Sequence, residues 1–238
     1  MGSSQGLLGF VLILILAAGF AVIIWLAYRQ AKNRWKEIEA QGFQRWLVVD
    51  PRFAKSVCSL AAYPYPERLD VGQAFLRSLP DMQLVIYDLV VKFGAESGGQ
   101  RSQFAVYSAE GNFPSMRIFP KPEEFDGSMQ ANSGRFTVNK LLQYALIRLK
   151  ETQLEFSGQP EFDKRFTVTA KDEERARSIL TPERLKRLTG LPKGVMLQIS
   201  GGVILVDKPG FRVERRRFQQ HISEMTDLAI QAAQAFLH

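Results

Sequence analysis

The chain is poor in the side chains on which most catalytic and metal sites depend. Of its 238 residues one is cysteine, Cys58, and two are histidine, His221 and His238. A lone cysteine excludes an intrachain disulfide, which agrees with a reducing compartment. Two histidines, one of them the last residue, are too few for a multi-histidine metal site or a histidine-based triad. Cys58 as a nucleophile would need a histidine delivered by the fold, so a buried structural thiol is the expectation. Charge is missing from the opening stretch altogether, because no Asp, Glu, Lys or Arg occurs between Met1 and Tyr28.

Within that stretch, Leu7–Tyr28 (LLGFVLILILAAGFAVIIWLAY) is an apolar run of 22 residues. At about 1.5 Å per residue it is long enough to cross a hydrocarbon core of roughly 30 Å. A secretory signal peptide would place basic residues ahead of a shorter apolar core, and Met1–Gly6 has none. A retained transmembrane helix over 7–28 is predicted, with 1–6 as a short external N-terminus. Arg29, Lys32, Arg34 and Lys36 follow at once. Positive charge stays on the cytoplasmic side, so the C-terminal part is predicted to be cytoplasmic, with Trp25 and Tyr28 at the inner interface.

The remaining composition, 46% hydrophobic and 23% charged over the whole chain, is that of a packed globular region rather than a disordered one. A net charge of +7 and an isoelectric point near 9.6 suit an acidic partner. For a tethered domain, phospholipid head groups are nearer than nucleic acid. Neither a recognition-helix pattern nor an RNA-binding strand motif is present, so no nucleic-acid partner is expected.

Residues 29–66 read as a stalk and a lead-in segment, and 67–238 as the folded domain. Gln30–Gln41 is rich in helix formers and extends the span until Gly42 interrupts it. Arg45–Pro66 mixes an apolar run, the Pro51 break and a possible helix over Ala54–Ala61 before Pro64 and Pro66. From Leu84 the period becomes two, and with Ser102–Ser108 this predicts an antiparallel hairpin around a wide loop, Gly94–Gln100. Gly98 and Gly99 read as loop backbone, since no helix start follows them. Ser115–Phe119, bracketed by Pro114 and Pro120, is predicted as a short edge strand.

Lys121–Phe136 is polar and glycine-containing and reads as loop, followed by a helix over Val138–Lys150. Leu154–Phe156 is a possible short strand, and the tail of Phe162–Ala170 is predicted as a strand with one wet face. Asp172 caps a helix carrying Ala176, Ile179 and Leu180. Thr181 caps the next, with Pro182 in its first turn, Leu185 and Leu188 inward, and Gly190 and Pro192 as stops. Val195–Ile199 and Val203–Asp207 form a hairpin about Ser200-Gly201-Gly202. Glu214–Leu237 closes the chain as an amphipathic helix whose stripe is Phe218, Ile222, Met225, Ala229, Ala233 and Phe236. The expected fold class is α+β: an antiparallel sheet with a C-terminal helix, behind an N-terminal transmembrane helix.

The order of these features, with NFPSMRIFPKP, LEFSGQPEFDKRFTV, ILTPERLKRL and the GGVILV hairpin, resembles a family of uncharacterised bacterial single-pass membrane-anchored proteins, a domain of unknown function. The resemblance runs from about Leu84 to the end, and its most telling pieces are Phe113–Pro120 and Glu161–Thr167. It implies an α+β cytoplasmic domain on a single-pass anchor in a bacterial inner membrane. It brings no catalytic residue, cofactor or ligand.

No catalytic, cofactor-binding or metal residue is therefore assigned. Asp163, Asp172, Glu173 and Glu174 sit where turn, cap and helix-dipole roles account for them. Arg212, Arg215, Arg216 and Arg217 approach and begin the last helix, where cations oppose the helix dipole. They are a solvated face or a contact for an acidic partner or lipid. The leading expectation is a membrane-tethered, non-enzymatic interaction or scaffold domain that meets the bilayer through its span and a protein partner of unknown identity. The alternative is a membrane-anchored hydrolase using carboxylates of the loops Glu123–Asp126 and Glu161–Asp163, which would have to converge in a deep pocket.

Overall fold

The computed structural model describes residues 3–61, 68–91, 102–125, 128–209 and 218–237. The chain divides into two compact units, Met1–Gly42 and Phe43–His238. The first is one helix, α1 (Ser3–Ala40), of 38 residues. Its end is closed by backbone bonds from Gln41 to Ile38 and from Gly42 to Glu39, and Gly42 takes a φ of 83°, which glycine adopts without penalty. All side chains from Ile13 to Leu26 are exposed. By length and composition α1 is apolar enough to cross a membrane.

The second unit is α+β. Its strands are β1 (Gln44–Arg45), β2 (Leu69–Leu79), β3 (Met82–Val91), β4 (Ser102–Tyr107), β5 (Phe113–Pro120), β6 (Thr152–Leu154), β7 (Phe166–Ala170), β8 (Met196–Gly201) and β9 (Val203–Asp207). Its helices are α2 (Pro51–Leu60), α3 (Met129–Ile147), α4 (Pro160–Arg165), α5 (Glu173–Ile179), α6 (Pro182–Thr189) and α7 (Phe218–Leu237). The strands form one antiparallel sheet in the order β1-β2-β3-β4-β9-β8-β5-β7-β6. The expected hairpins β3–β4 and β8–β9 both form.

Alternation along the strands assigns the two faces. Val85, Tyr87, Ala105, Tyr107, Val203 and Leu205 form a buried cluster with Phe53, Val57 and Leu60 of α2. On the same face, Phe119 and Met196 pack against Val138 and Ala145 of α3. The intervening positions face the other way and meet α7, with Phe104 edge-on to His221 at 5.6 Å and Phe113 to Phe236 at 5.9 Å. Coverage on both sides explains the runs of consecutive buried residues, 84–87 in β3 and 203–206 in β9. Of the stripe on α7, Ile222, Met225, Ala229, Ala233 and Phe236 are buried, whereas Phe218 is half-buried. The helix caps fall where the sequence places them, with Asp172 accepting from Arg175 N at 3.0 Å and Thr181 from Arg184 N at 3.4 Å.

Three local expectations are corrected. β5 is a central strand, paired with both β7 and β8. Pro114 is tolerated there because it sits in the irregularity between Phe113 and Met116, where no regular ladder bond is needed. Part of the loop read over Lys121–Phe136 is helical, since α3 begins at Met129. Gly134 inside it is a contact glycine and no breaker, because a Cβ there would meet Pro209 O at 2.5 Å and the Phe125 ring at 2.8 Å. The tail of Phe162–Ala170 is strand from Phe166, as expected, and Phe162–Arg165 before it is helical. That strand has no wholly wet face, for Thr169 is fully buried. The wide loop Gly94–Gln100 lies outside the described residues.

Candidate interaction surface

The segment Phe43–Ala61 carries an exposed apolar tip at Leu47 and Val48. Trp46 anchors one side of it, with its backbone N–H donating to Ala74 O at 2.9 Å and its ring lying 5.2 Å from Phe53 and 6.0 Å from Tyr107. Asp50 anchors the other side by capping α2. Its carboxylate accepts from Arg52 N at 2.8 Å, from Arg52 Nη2 at 3.2 Å and from the Tyr107 hydroxyl at 2.5 Å. The Tyr107 hydrogen bond, then that from Arg52 N, holds the Asp50 carboxyl below its ordinary range. Burial, reinforced by Asp50, pushes Tyr107 up to about 12. Between these anchors Leu47 and Val48 stand 87% and 83% exposed, while Val49 turns back onto the core. The outward side of the adjacent α2 carries Arg52, Lys55 and Ser59, all exposed.

Arg212, Arg215, Arg216 and Arg217 lie outside the described residues, in the link between β9 and α7. Among the described residues, the carboxylates of the two loops line neither of the clefts described below and are engaged separately. Glu124 grips Arg165 by two hydrogen bonds, to Nε at 3.0 Å and Nη2 at 2.6 Å. Glu161 pairs with Lys164 at 2.8 Å on the surface, Asp163 accepts from Phe156 N at 3.1 Å, Glu123 is exposed, and Asp126 lies outside the described residues. Cys58 is half-buried on α2 against the apolar cluster, whereas His221 is on α7 across the sheet. The sheet itself therefore keeps the only cysteine from the only internal histidine. Among the described residues, no group of three or more His, Cys, Asp or Glu is placed to hold a metal ion.

Two charged nodes escaped the sequence reading. On the α2 and α3 face, Arg117 of β5 and Glu151 are joined by a hydrogen-bonded ion pair, with their side chains 4% and 2% exposed. The Thr169 hydroxyl donates to the second Glu151 oxygen at 2.6 Å. Arg165 ties the end of α4 to Glu124 and also donates to the carbonyls of Thr189, the last residue of α6, and of Leu191 just beyond it. Both nodes are engaged by protein partners and thus read as structural. No local sequence signal distinguishes them, since the partners stand 34 and 41 positions apart. Two shallow clefts lie among the described residues. One of about 490 Å³ lies between the end of α6 and α7, and one of about 440 Å³ is formed by the turns Ser78–Gln83 and Tyr107–Glu110.

A family model described as a protein of unknown function, DUF3137, matches residues 103–227, which run from β4 into α7. No curated protein sequence matches. Among solved structures, the crystal structure of the mycobacterial trehalose monomycolate transport factor A, TtfA, is similar with a TM-score of 0.48 and 10% identity, over 87% of this chain and 93% of that one.

Proposed function

The chain belongs to the DUF3137 family, whose function is unknown, and we propose that within it this protein is a membrane-tethered, non-enzymatic interaction or scaffold domain. The observation that carries the reading is α1, whose charge-free, outward-facing apolar surface from Ile13 to Leu26 is expensive in water and at home in lipid. In this reading residues 7–28 span the bilayer of a bacterial inner membrane and residues 29–66 are stalk and lead-in to the domain of 67–238, with β1 and α2 of the lead-in packed into that domain's sheet and core. The basic residues after Tyr28 hold that domain in the cytoplasm. Arg29 stacks over Trp25 at 5.3 Å, the pairing of cation and amphipathic ring suited to the boundary of a span. Arg212, Arg215, Arg216 and Arg217 are the proposed contact for an acidic protein partner or for lipid phosphates.

Membranes washed with alkaline carbonate test the tether: the full chain should stay with the lipid, and its release by the wash would refute the span. Orientation has its own assay. Alkaline phosphatase fused after His238 should be inactive, and an active fusion would reverse the topology while leaving the tether intact.

A further inference from the structure

The tip formed by Leu47 and Val48 is the most exposed aliphatic pair among the described residues of the second unit, and its setting is specific. It is pinned on either side by Trp46 and Asp50 and bordered by the basic side of α2. Phe43–Ala61 carries Arg45, Arg52 and Lys55 against the single acid Asp50. A protein partner would need a pocket shaped to receive such a tip. A fluid bilayer boundary takes any shape, and anionic head groups complement the cations beside it.

We propose that this tip docks on the bilayer crossed by α1: Leu47 and Val48 enter the head-group boundary, and Arg52 and Lys55 meet anionic lipid phosphates. The proposal rests on the reading of α1 as a span. Chain length permits it. From Arg29 to Ala40 the helix rises about 18 Å along its own axis, and the head-group layer occupies about 6 Å beyond the hydrocarbon. About 12 Å then remains, whereas the five residues from Gly42 to Leu47 reach at most about 17 Å. Tilting of α1 shortens the gap further. Arg52 spends one nitrogen on Asp50, yet its side chain is still 73% exposed, so the guanidinium has donors to offer a phosphate.

The full chain, reconstituted into vesicles, tests this. Cys58 is replaced by Ser, and a polarity-sensitive fluorophore is placed at Leu47→Cys, at Gln143→Cys on the exposed side of α3, or at Ala18→Cys within the span. In vesicles containing phosphatidylglycerol, the probe at 47 should be quenched by lipids bearing a nitroxide near the head group and protected from iodide. The probe at 143 should behave in the opposite way. Arg52→Ser with Lys55→Ser, or vesicles of phosphatidylcholine alone, should abolish the protection at 47. If the probe at 18 is quenched by lipid while that at 47 is quenched by iodide, the tip is overturned and the anchor stands. If the probe at 18 is not quenched by lipid, the anchor fails and the tip with it. Protection of 47 from both quenchers would mean a protein contact and overturn lipid docking. Equal protection in neutral vesicles would overturn the role given to Arg52 and Lys55.

Discussion

Replacing Glu151 by Gln should cost more stability than almost any other single polar change in the domain. The side chains of Arg117 and Glu151 are 4% and 2% exposed, so Arg117 has essentially no water to fall back on. A glutamine keeps the volume and an acceptor oxygen but removes the countercharge. It also turns one end of the group from acceptor to donor, where the Thr169 hydroxyl now donates at 2.6 Å. Loss of one ordinary hydrogen bond would cost about 1 kcal/mol. Stranding a buried cation raises the expected loss to about 3–5 kcal/mol, a large part of the 5–15 kcal/mol typical of a domain. Arg117→Met should cost a similar amount, because it strands the carboxylate instead. The double variant Arg117→Met with Glu151→Leu should recover most of the loss, since no charge is left to desolvate. Urea unfolding of the full chain in detergent micelles can be followed by Trp46 fluorescence, with Trp25 and Trp35 changed to Phe. A cost below about 1 kcal/mol for Glu151→Gln, or additive losses in the double variant, would refute the argument that this pair is desolvated and coupled.

Ile222→Ala or Met225→Ala should each cost about 2–5 kcal/mol in the same unfolding assay, because both side chains are buried between α7 and the sheet; a loss near zero would mean that this stripe packs on nothing. Gly202→Ala should destabilise by about 1–3 kcal/mol, since a Cβ there would collide with the Ser108 carbonyl oxygen, and an unchanged urea midpoint would contradict that contact. The Tyr107–Asp50 bond gives two pH limbs. Tyr107, raised in the folded state to about 12, contributes stability that is complete below the ordinary tyrosine value of 10.0 and is lost as pH climbs through the folded value. Asp50, lowered in the folded state, contributes stability that is present above the ordinary 3.8 and is lost as pH falls through its depressed value. Tyr107→Phe should flatten both limbs in urea midpoints measured across pH, with Tyr87, also raised by burial, retaining part of the alkaline limb; unchanged limbs would reject the pairing.

What was legible in the sequence is what local chemistry dictates. Asp172 and Thr181 cap their helices because a short oxygen-bearing side chain before an apolar stripe has one good use there. The β8–β9 turn follows from two glycines, of which Gly201 takes a φ of 57°. What was not legible depends on partners far along the chain. Pro114 and Pro120 suggest an edge, but a proline fits a central strand when the ladder is already irregular beside it. Gly134 suggests a loop until the Pro209 backbone and the Phe125 ring are seen to occupy the place of its side chain. β2 escapes an alternation reading because its register shifts between Val71 and Ala74. Leu47 and Val48 look like any short apolar run, and only the anchoring of Trp46 and Asp50 reveals that they point outward. Arg117 reads as a surface cation in a strand, since nothing near it in sequence announces Glu151.

The order of strands also sets a clock for synthesis. β4 finds its second neighbour only in β9, where Tyr107 pairs with Val203, 96 positions later. At about 5–20 residues per second of translation, the nascent chain waits roughly 5–20 s between presenting that edge and being able to close it. Throughout the interval a finished β2–β3–β4 ribbon shows one row of unsatisfied amides and carbonyls and two apolar faces. A ribosome paused between residues 108 and 202 would prolong the wait and favour pairing between neighbouring nascent chains. Synonymous codon changes in that stretch should therefore lower the yield of folded protein without altering a single native contact.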